Sequence, residues 1–166
     1  MNMRIVLLCL LIVLVLPITG CFKKDAGCPT SNTTAPSSEV AAVESYLSAN
    51  GITTAVKHPS GFYFEIVAQG SGPAPGECSA VNVGYVGKFT NGNIFDQTSS
   101  VSLTLANVIE GWRKGLPLIQ KGGHIKLYIP PSLGYGPVDV KDPQTQQVVI
   151  PANSILIFDV SLIDVQ

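Results

Sequence analysis

Residues 108–136 read VIEGWRKGLPLIQKGGHIKLYIPPSLGYG. Two periodicities meet inside this stretch. VIEGWRKGL reads as a short helix, and Pro117 ends or bends it, because proline lacks a backbone donor and its ring crowds the preceding turn. Farther on, Ile125, Leu127 and Ile129 alternate with His124, Lys126 and Tyr128, the period of a strand with one buried face. His124 then falls on the solvent side of that strand. Working outward, GFYFEIVA (61–68), AVNVGYVGKF (80–89), SLTLANV (102–108) and SILIFDVSLIDV (154–165) are further β-branched and aromatic runs, separated by Gly, Pro and Asn. Val81, Val83 and Tyr85 share one face of the second run, while Asn82, Gly84 and Val86 take the other. Many strands with one interrupting helix predict an α+β domain whose antiparallel sheet wraps that helix. Upstream, SEVAAVESYLSAN (38–50) predicts a short N-terminal helix with Val40, Val43 and Leu47 on one face. Ser37 or Ser38 can cap its start and Gly51 can stop it. There is no internal repeat.

The chain has 166 residues, a formal net charge of −1, 46% hydrophobic residues and 13% charged ones. That balance offers no electrostatic case for nucleic acid as a partner, because its binders carry a basic patch or stripe. Part of the hydrophobicity belongs to a leader. MNMR is followed by the apolar run IVLLCLLIVLVLP (5–17), shorter than the roughly 20 residues a membrane span needs and built like a secretory signal. Ile18-Thr19-Gly20-Cys21 then resembles the lipobox of bacterial lipoproteins. That resemblance implies cleavage after Gly20, lipid on Cys21 and a place in the cell envelope, anchored to a bacterial membrane. Acyl chains at about 0.8 kcal/mol per buried methylene would hold the protein there. The implied organisation is a signal peptide over 1–20, a polar tether over 21–37, the short helix and a linker over 38–58, and the main domain over 59–166. Cys9 leaves with the signal. Cys28 and Cys78 can pair in an exported, oxidising setting, or remain two free thiols; spacing does not decide between them.

Catalytic signatures are few. His58 and His124 are far apart, and no His or Cys pair has the spacing of metal ligands, so neither a metal nor a cofactor is expected. Asn91, Asn93 and Asp96 lack the glycine and terminal glutamate of a calcium loop. No nucleophile elbow, phosphate-binding loop or dinucleotide fingerprint occurs. What stands out is a set of aromatic and apolar residues near polar turns: Tyr85, Phe95, Ile109, Trp112, Tyr135 and Phe158. Core packing accounts for part of that set. Yet Tyr85, Asp96 and Tyr135 add three polar groups to it, which is the make-up of a small-ligand pocket.

The order of motifs resembles a known family, the FKBP-type peptidyl-prolyl cis-trans isomerases, or rapamycin-binding immunophilins. The matching stretches are VNVGYVGKFTNGNIFDQTSS (81–100), residues 108–136 quoted above, and IPANSILIFDVSLIDV (150–165), with 59–79 resembling the lead-in strand. The resemblance implies an antiparallel, strongly bent sheet wrapped around one short helix. It implies a proline pocket with Trp112 as floor and Tyr85, Phe95 and Phe158 as walls, with Val108 and Ile109 beside the floor. Backbone N–H of Ile109 and the Tyr135 hydroxyl would donate to substrate carbonyls, and Asp96 would stand near the carbonyl of the twisting bond. Leu103 and Ile150 are carried over as further substrate-binding positions. The implied partners are proline-containing polypeptides and rapamycin-like macrolides. Three departures bear on them. Val101 and Leu103 stand where many members carry aromatics, Ala152 replaces a second proline, and PVDVKDPQTQQVV (137–149) lengthens a loop that overhangs the pocket in the family. A non-catalytic binding or chaperone module is the alternative to an enzyme.

Overall fold

The computed structural model of the protein describes Cys28 and residues 31–166; the leader and Cys21 lie outside the described residues. The chain runs through α1 (Ser37–Ala49), β1 (Val56–Lys57), β2 (Tyr63–Ala68), β3 (Ala80–Phe89), β4 (Ile94–Thr104), α2 (Glu110–Gly115), β5 (His124–Ile129), β6 (Val140–Lys141), β7 (Val148–Ile150) and β8 (Leu156–Val165). Six strands form one curved sheet in the order β1-β2-β5-β8-β3-β4, and each neighbouring pair is antiparallel. β6 and β7 form a separate two-stranded ribbon. The predicted α+β class, a bent antiparallel sheet around a short helix, is the one observed.

Alternation along the strands builds the inner face. Ile125, Leu127 and Ile129 are fully buried, as are Val81, Val83, Leu156 and Val160 on the neighbouring strands. α2 lies against this face. It comes so close that a Cβ on Gly111 would stand 2.6 Å from Ile129 Cδ1, and one on Gly115 would stand 2.7 Å from a Leu127 methyl. Glycine at these positions lets helix backbone rest directly on β5.

The opposite face is covered as well. Val43 and Leu47 of α1 pack with Tyr128, which is 3% exposed, and with Tyr63 and Ile157 beside it. Tyr128 belongs to the polar side of the β5 alternation, but α1 turns that side into a second, smaller core. Its hydroxyl donates to Glu65, as a buried phenol requires. His124, expected to face solvent, is half-buried and hydrogen-bonded to Asp159 on β8. α1 ends as predicted at Gly51. Ile52 N–H donates to Leu47 C=O at 2.9 Å and Gly51 N–H to Ser48 C=O at 3.1 Å, the paired bonds of a Schellman close. Its start differs from expectation. Pro36 occupies the N-cap and neither serine caps; instead Glu39, in the first turn, accepts a 2.8 Å bond from the Ser132 N–H. That bond ties α1 to the turn after β5.

Both edges of the sheet are blunted. β1 is two residues long, and β4 is irregular at two places, between the pairs Val83↔Val101 and Tyr85↔Thr98 and between Gly87↔Asp96 and Lys88↔Ile94. Short and bulged edges resist pairing with other chains. Cys28 and Cys78 are joined by a disulfide, Cα atoms 5.7 Å apart, across 50 residues of chain. Beyond Cys28 the polar stretch is fastened again, through Ala35 N–H to Ser60 C=O at 2.9 Å and Lys114 Nζ to Thr33 C=O at 3.1 Å.

Candidate active site

A cavity of about 200 Å³ opens where α2 meets the bent sheet, lined by Tyr85, Phe95, Asp96, Leu103, Asn107, Val108, Ile109, Trp112, Tyr135 and Phe158. Trp112, on α2, is 4% exposed and packs edge-on against Tyr85 (centroids 5.0 Å, planes 86° apart) and Phe158 (5.2 Å, 82°). Phe95 meets Phe158 at 5.5 Å and 88°. Such edge-to-face pairs each contribute about 0.5–1.5 kcal/mol beyond area burial. Together they hold the walls in fixed orientation around the indole. Gly87 on β3 makes room for them: a Cβ there would come 2.7 Å from the Phe95 ring and 3.0 Å from Phe158.

Phe95 and Asp96 are consecutive, and in a regular strand consecutive side chains point to opposite faces. Both line this cavity. The register explains it: Gly87 pairs with Asp96, and the next residue of β3, Lys88, pairs with Ile94, so Phe95 is the extra residue of a β-bulge. A bulge re-aims the side chains beside it. Here it brings an apolar ring and a carboxylate to one opening.

Asp96 accepts a hydrogen bond from the Tyr85 hydroxyl at 2.5 Å. Burial, and then that bond, push the Tyr85 phenol well above its ordinary range. Burial, followed by the Asp96 charge, also raises the Tyr135 phenol. Each stays protonated at neutral pH and keeps its O–H to donate. Ile109 is the N-cap of α2, and its carbonyl accepts from the N–H groups of Trp112 (3.0 Å) and Arg113 (3.1 Å). An N-cap N–H is not consumed by the helix, so Ile109 can offer its own to a ligand.

The sequence profile of the FKBP-type peptidyl-prolyl cis-trans isomerases matches residues 72–163, the span that contains every residue of this cavity. The chain belongs to that family. It is 39% identical over 127 residues to the FKBP-type peptidyl-prolyl cis-trans isomerase FkpA of Escherichia coli K12, covering 74% of this chain and 43% of that protein. The chain thus spans less than half the length of such curated relatives. The crystal structure of E. coli FkpA superposes with a TM-score of 0.66 at 35% identity, over 78% of this chain and 60% of that one. A peptidyl-prolyl cis-trans isomerase from Pseudomonas syringae pv. tomato gives 0.66 at 28% identity, over 81% of this chain and 98% of that one.

Nine of the ten pocket positions carried over from the family meet at the cavity: Tyr85, Phe95, Asp96, Trp112 and Tyr135, with Leu103, Val108, Ile109 and Phe158. Ile150 is the exception. Expected as a substrate-binding position, it is 6% exposed and packs in the main core, where it pairs with Val140 in the ribbon. No residue of 137–149, expected to overhang the pocket, lines it. Asn107 is an addition the sequence did not signal. SLTLANV reads as a strand to Val108, but β4 stops at Thr104 and a 3-10 turn, Leu105–Asn107, brings Asn107 to the opening.

Proposed function

We propose that this protein is a lipid-anchored peptidyl-prolyl isomerase of the bacterial cell envelope, accelerating X–Pro rotation in exported polypeptides. The observation that carries the reading is the bulge at Phe95, which sets the Phe95 ring and the Asp96 carboxylate side by side over the Trp112 floor. An X–Pro bond resists rotation by amide resonance, with a barrier near 20 kcal/mol. Resonance is lost at the 90° twist, and the carbonyl carries less charge there. A water-poor aromatic cavity therefore favours the twisted state, because less carbonyl solvation is given up. The proline ring rests on Trp112 between Tyr85, Phe95 and Phe158, while Ile109 N–H and the Tyr135 hydroxyl hold the flanking carbonyls. Fixing one side of the bond while the other rotates adds orientation. Asp96, steadied by Tyr85, acts by charge and position and transfers no proton. A thousandfold acceleration needs only about 4 kcal/mol of such differential binding.

The lipid on Cys21 supplies the address. Cys28 stands seven residues after Cys21 and is held to the domain by its disulfide. At about 3.5 Å per residue, the folded domain then lies within about 25 Å of the bilayer surface. Rapamycin-like macrolides would enter the same cavity. Val101 is 37% exposed and outside the lining, and Leu103 contributes an aliphatic side chain where many members carry an aromatic one, so macrolide affinity is expected to be reduced.

Two measurements test this reading. The full chain in detergent should accelerate cis-to-trans relaxation of a Leu-Pro peptide, and a folded chain without that effect would overturn the enzyme assignment. In a bacterial host, the wild type should partition with membranes and carry acyl mass at the mature N-terminus, whereas Cys21→Ser should not; an unmodified wild type would overturn the anchor.

A further inference from the structure

α2 has six residues, too few to hold a helix by its own hydrogen bonds. Yet it carries Trp112 and, at its N-cap, Ile109, so its placement must come from outside. One support is the sheet, through Gly111 and Gly115 as described. The other lies behind the pocket, in the two cations that follow Trp112. Arg113 is 5% exposed; its Nε donates to Glu77 Oε2 at 3.2 Å and its Nη1 to Glu110 Oε1 at 3.3 Å. Lys114 Nζ donates to Thr33 C=O at 3.1 Å and to the buried Ser60 hydroxyl at 3.2 Å. Glu77 is the neighbour of Cys78, and Thr33 lies five residues beyond Cys28. Both cations are therefore fastened to the segments that the disulfide joins.

We propose that Arg113 is a positioning residue: through Glu77, held by the adjoining Cys28–Cys78 disulfide, it fixes α2 and so sets the Trp112 floor and the Ile109 N–H. This deepens the isomerase reading and rests on it for the rate, but not for the placement of Trp112. A buried guanidinium is expensive to desolvate, and replacing such a pair with apolar side chains often leaves stability unchanged. Its value here is placement. Arg113 is not among the residues that line the cavity.

Trp112 is the sole tryptophan of the chain, so its fluorescence reports on α2 alone. The test compares the full wild-type chain in detergent with Arg113→Met/Glu110→Gln, which removes the guanidinium together with its more buried carboxylate partner and leaves Glu77, 39% exposed, to solvent, and with Arg113→Lys and Glu77→Gln. The double variant should melt near the wild-type temperature, show red-shifted Trp112 emission with at least twofold greater acrylamide quenching, and lose about tenfold in kcat with little change in KM. Arg113→Lys should recover part of both signals. A folded double variant with wild-type emission, quenching and kcat overturns the proposal. If the double variant does not fold, Glu77→Gln decides: a smaller shift in the same direction supports the brace, and unchanged emission and kcat overturn it. Should the wild type fail to isomerise at all, the isomerase reading falls while emission and quenching still judge the placement.

Discussion

At the scale of single residues, the pocket depends on how Asp96 is held. Its partner is the Tyr85 hydroxyl at 2.5 Å, a charge-assisted bond of the stronger kind. Tyr85→Phe keeps the wall and removes the bond, so kcat/KM should fall about tenfold, equivalent to about 1.4 kcal/mol, while the melting temperature moves little. Asp96→Ala should cost more, because the carboxylate itself goes. Since Tyr85 and Tyr135 both keep their protons past neutrality, kcat/KM should be flat between pH 6 and 9; a bell-shaped profile in that window would mean that proton transfer takes part. The names of the pocket residues were legible in the sequence, because aromatic residues beside polar turns are unusual and their order follows the family's. Their joint orientation was not. A bulge at Phe95 depends on the register of β3 against β4, and one strand's own periodicity carries no record of its partner's register.

At the scale of elements, α2 is placed by backbone contact. Gly111→Ala would gain about 1 kcal/mol of helix propensity, but its Cβ would meet three Ile129 atoms at 2.6–2.8 Å. Overpacking of that kind costs about 1–3 kcal/mol, so the collision should win: the urea midpoint falls, and α2 is lifted from β5. The disulfide works on the other chain ends. Closing 50 residues, it contributes about 4 kcal/mol in the chain-entropy treatment, and Cys28→Ser/Cys78→Ser should lower unfolding free energy by up to that amount in urea titration. Element types were readable from period, yet several boundaries were not. β4 stops at Thr104 because Leu105 turns fully into the core and gives its N–H to Ser79 C=O at 3.0 Å. Ile150 shows the same limit: alternation predicts two faces, but only the ribbon's pairing decides which one meets the core.

At the scale of the molecule, the sheet is sandwiched between α2 on its concave side and α1 on the other. Residue Val43 is fully buried against Tyr128; Val43→Ala should cost about 1–3 kcal/mol with kcat/KM unchanged, since α1 lies on the face away from the cavity. Helix α1 itself was readable from Val40, Val43 and Leu47, but its docking site was hidden, because Tyr128 sits at a position the alternation assigns to solvent. The covered tyrosines also set alkaline stability. Burial and the Glu44 bond push Tyr63 up to about 12, and burial with the Glu65 bond raises Tyr128 further. Unfolded phenols titrate near 10, so this stabilisation is intact below that pH and is lost as pH rises through the folded values. Melting temperature should therefore hold through pH 9 and drop above 10.

The claim that joins these scales is that the Trp112 cavity rotates X–Pro bonds. Its most direct test is the cis–trans exchange rate of a Leu-Pro peptide, measured by NMR with the full chain in detergent, wild type beside Phe95→Ala/Asp96→Ala. Strong acceleration by the wild type, reduced at least a hundredfold in a folded double variant, is the predicted result. A folded wild type that leaves the exchange rate untouched, or a double variant that keeps full activity, would contradict it.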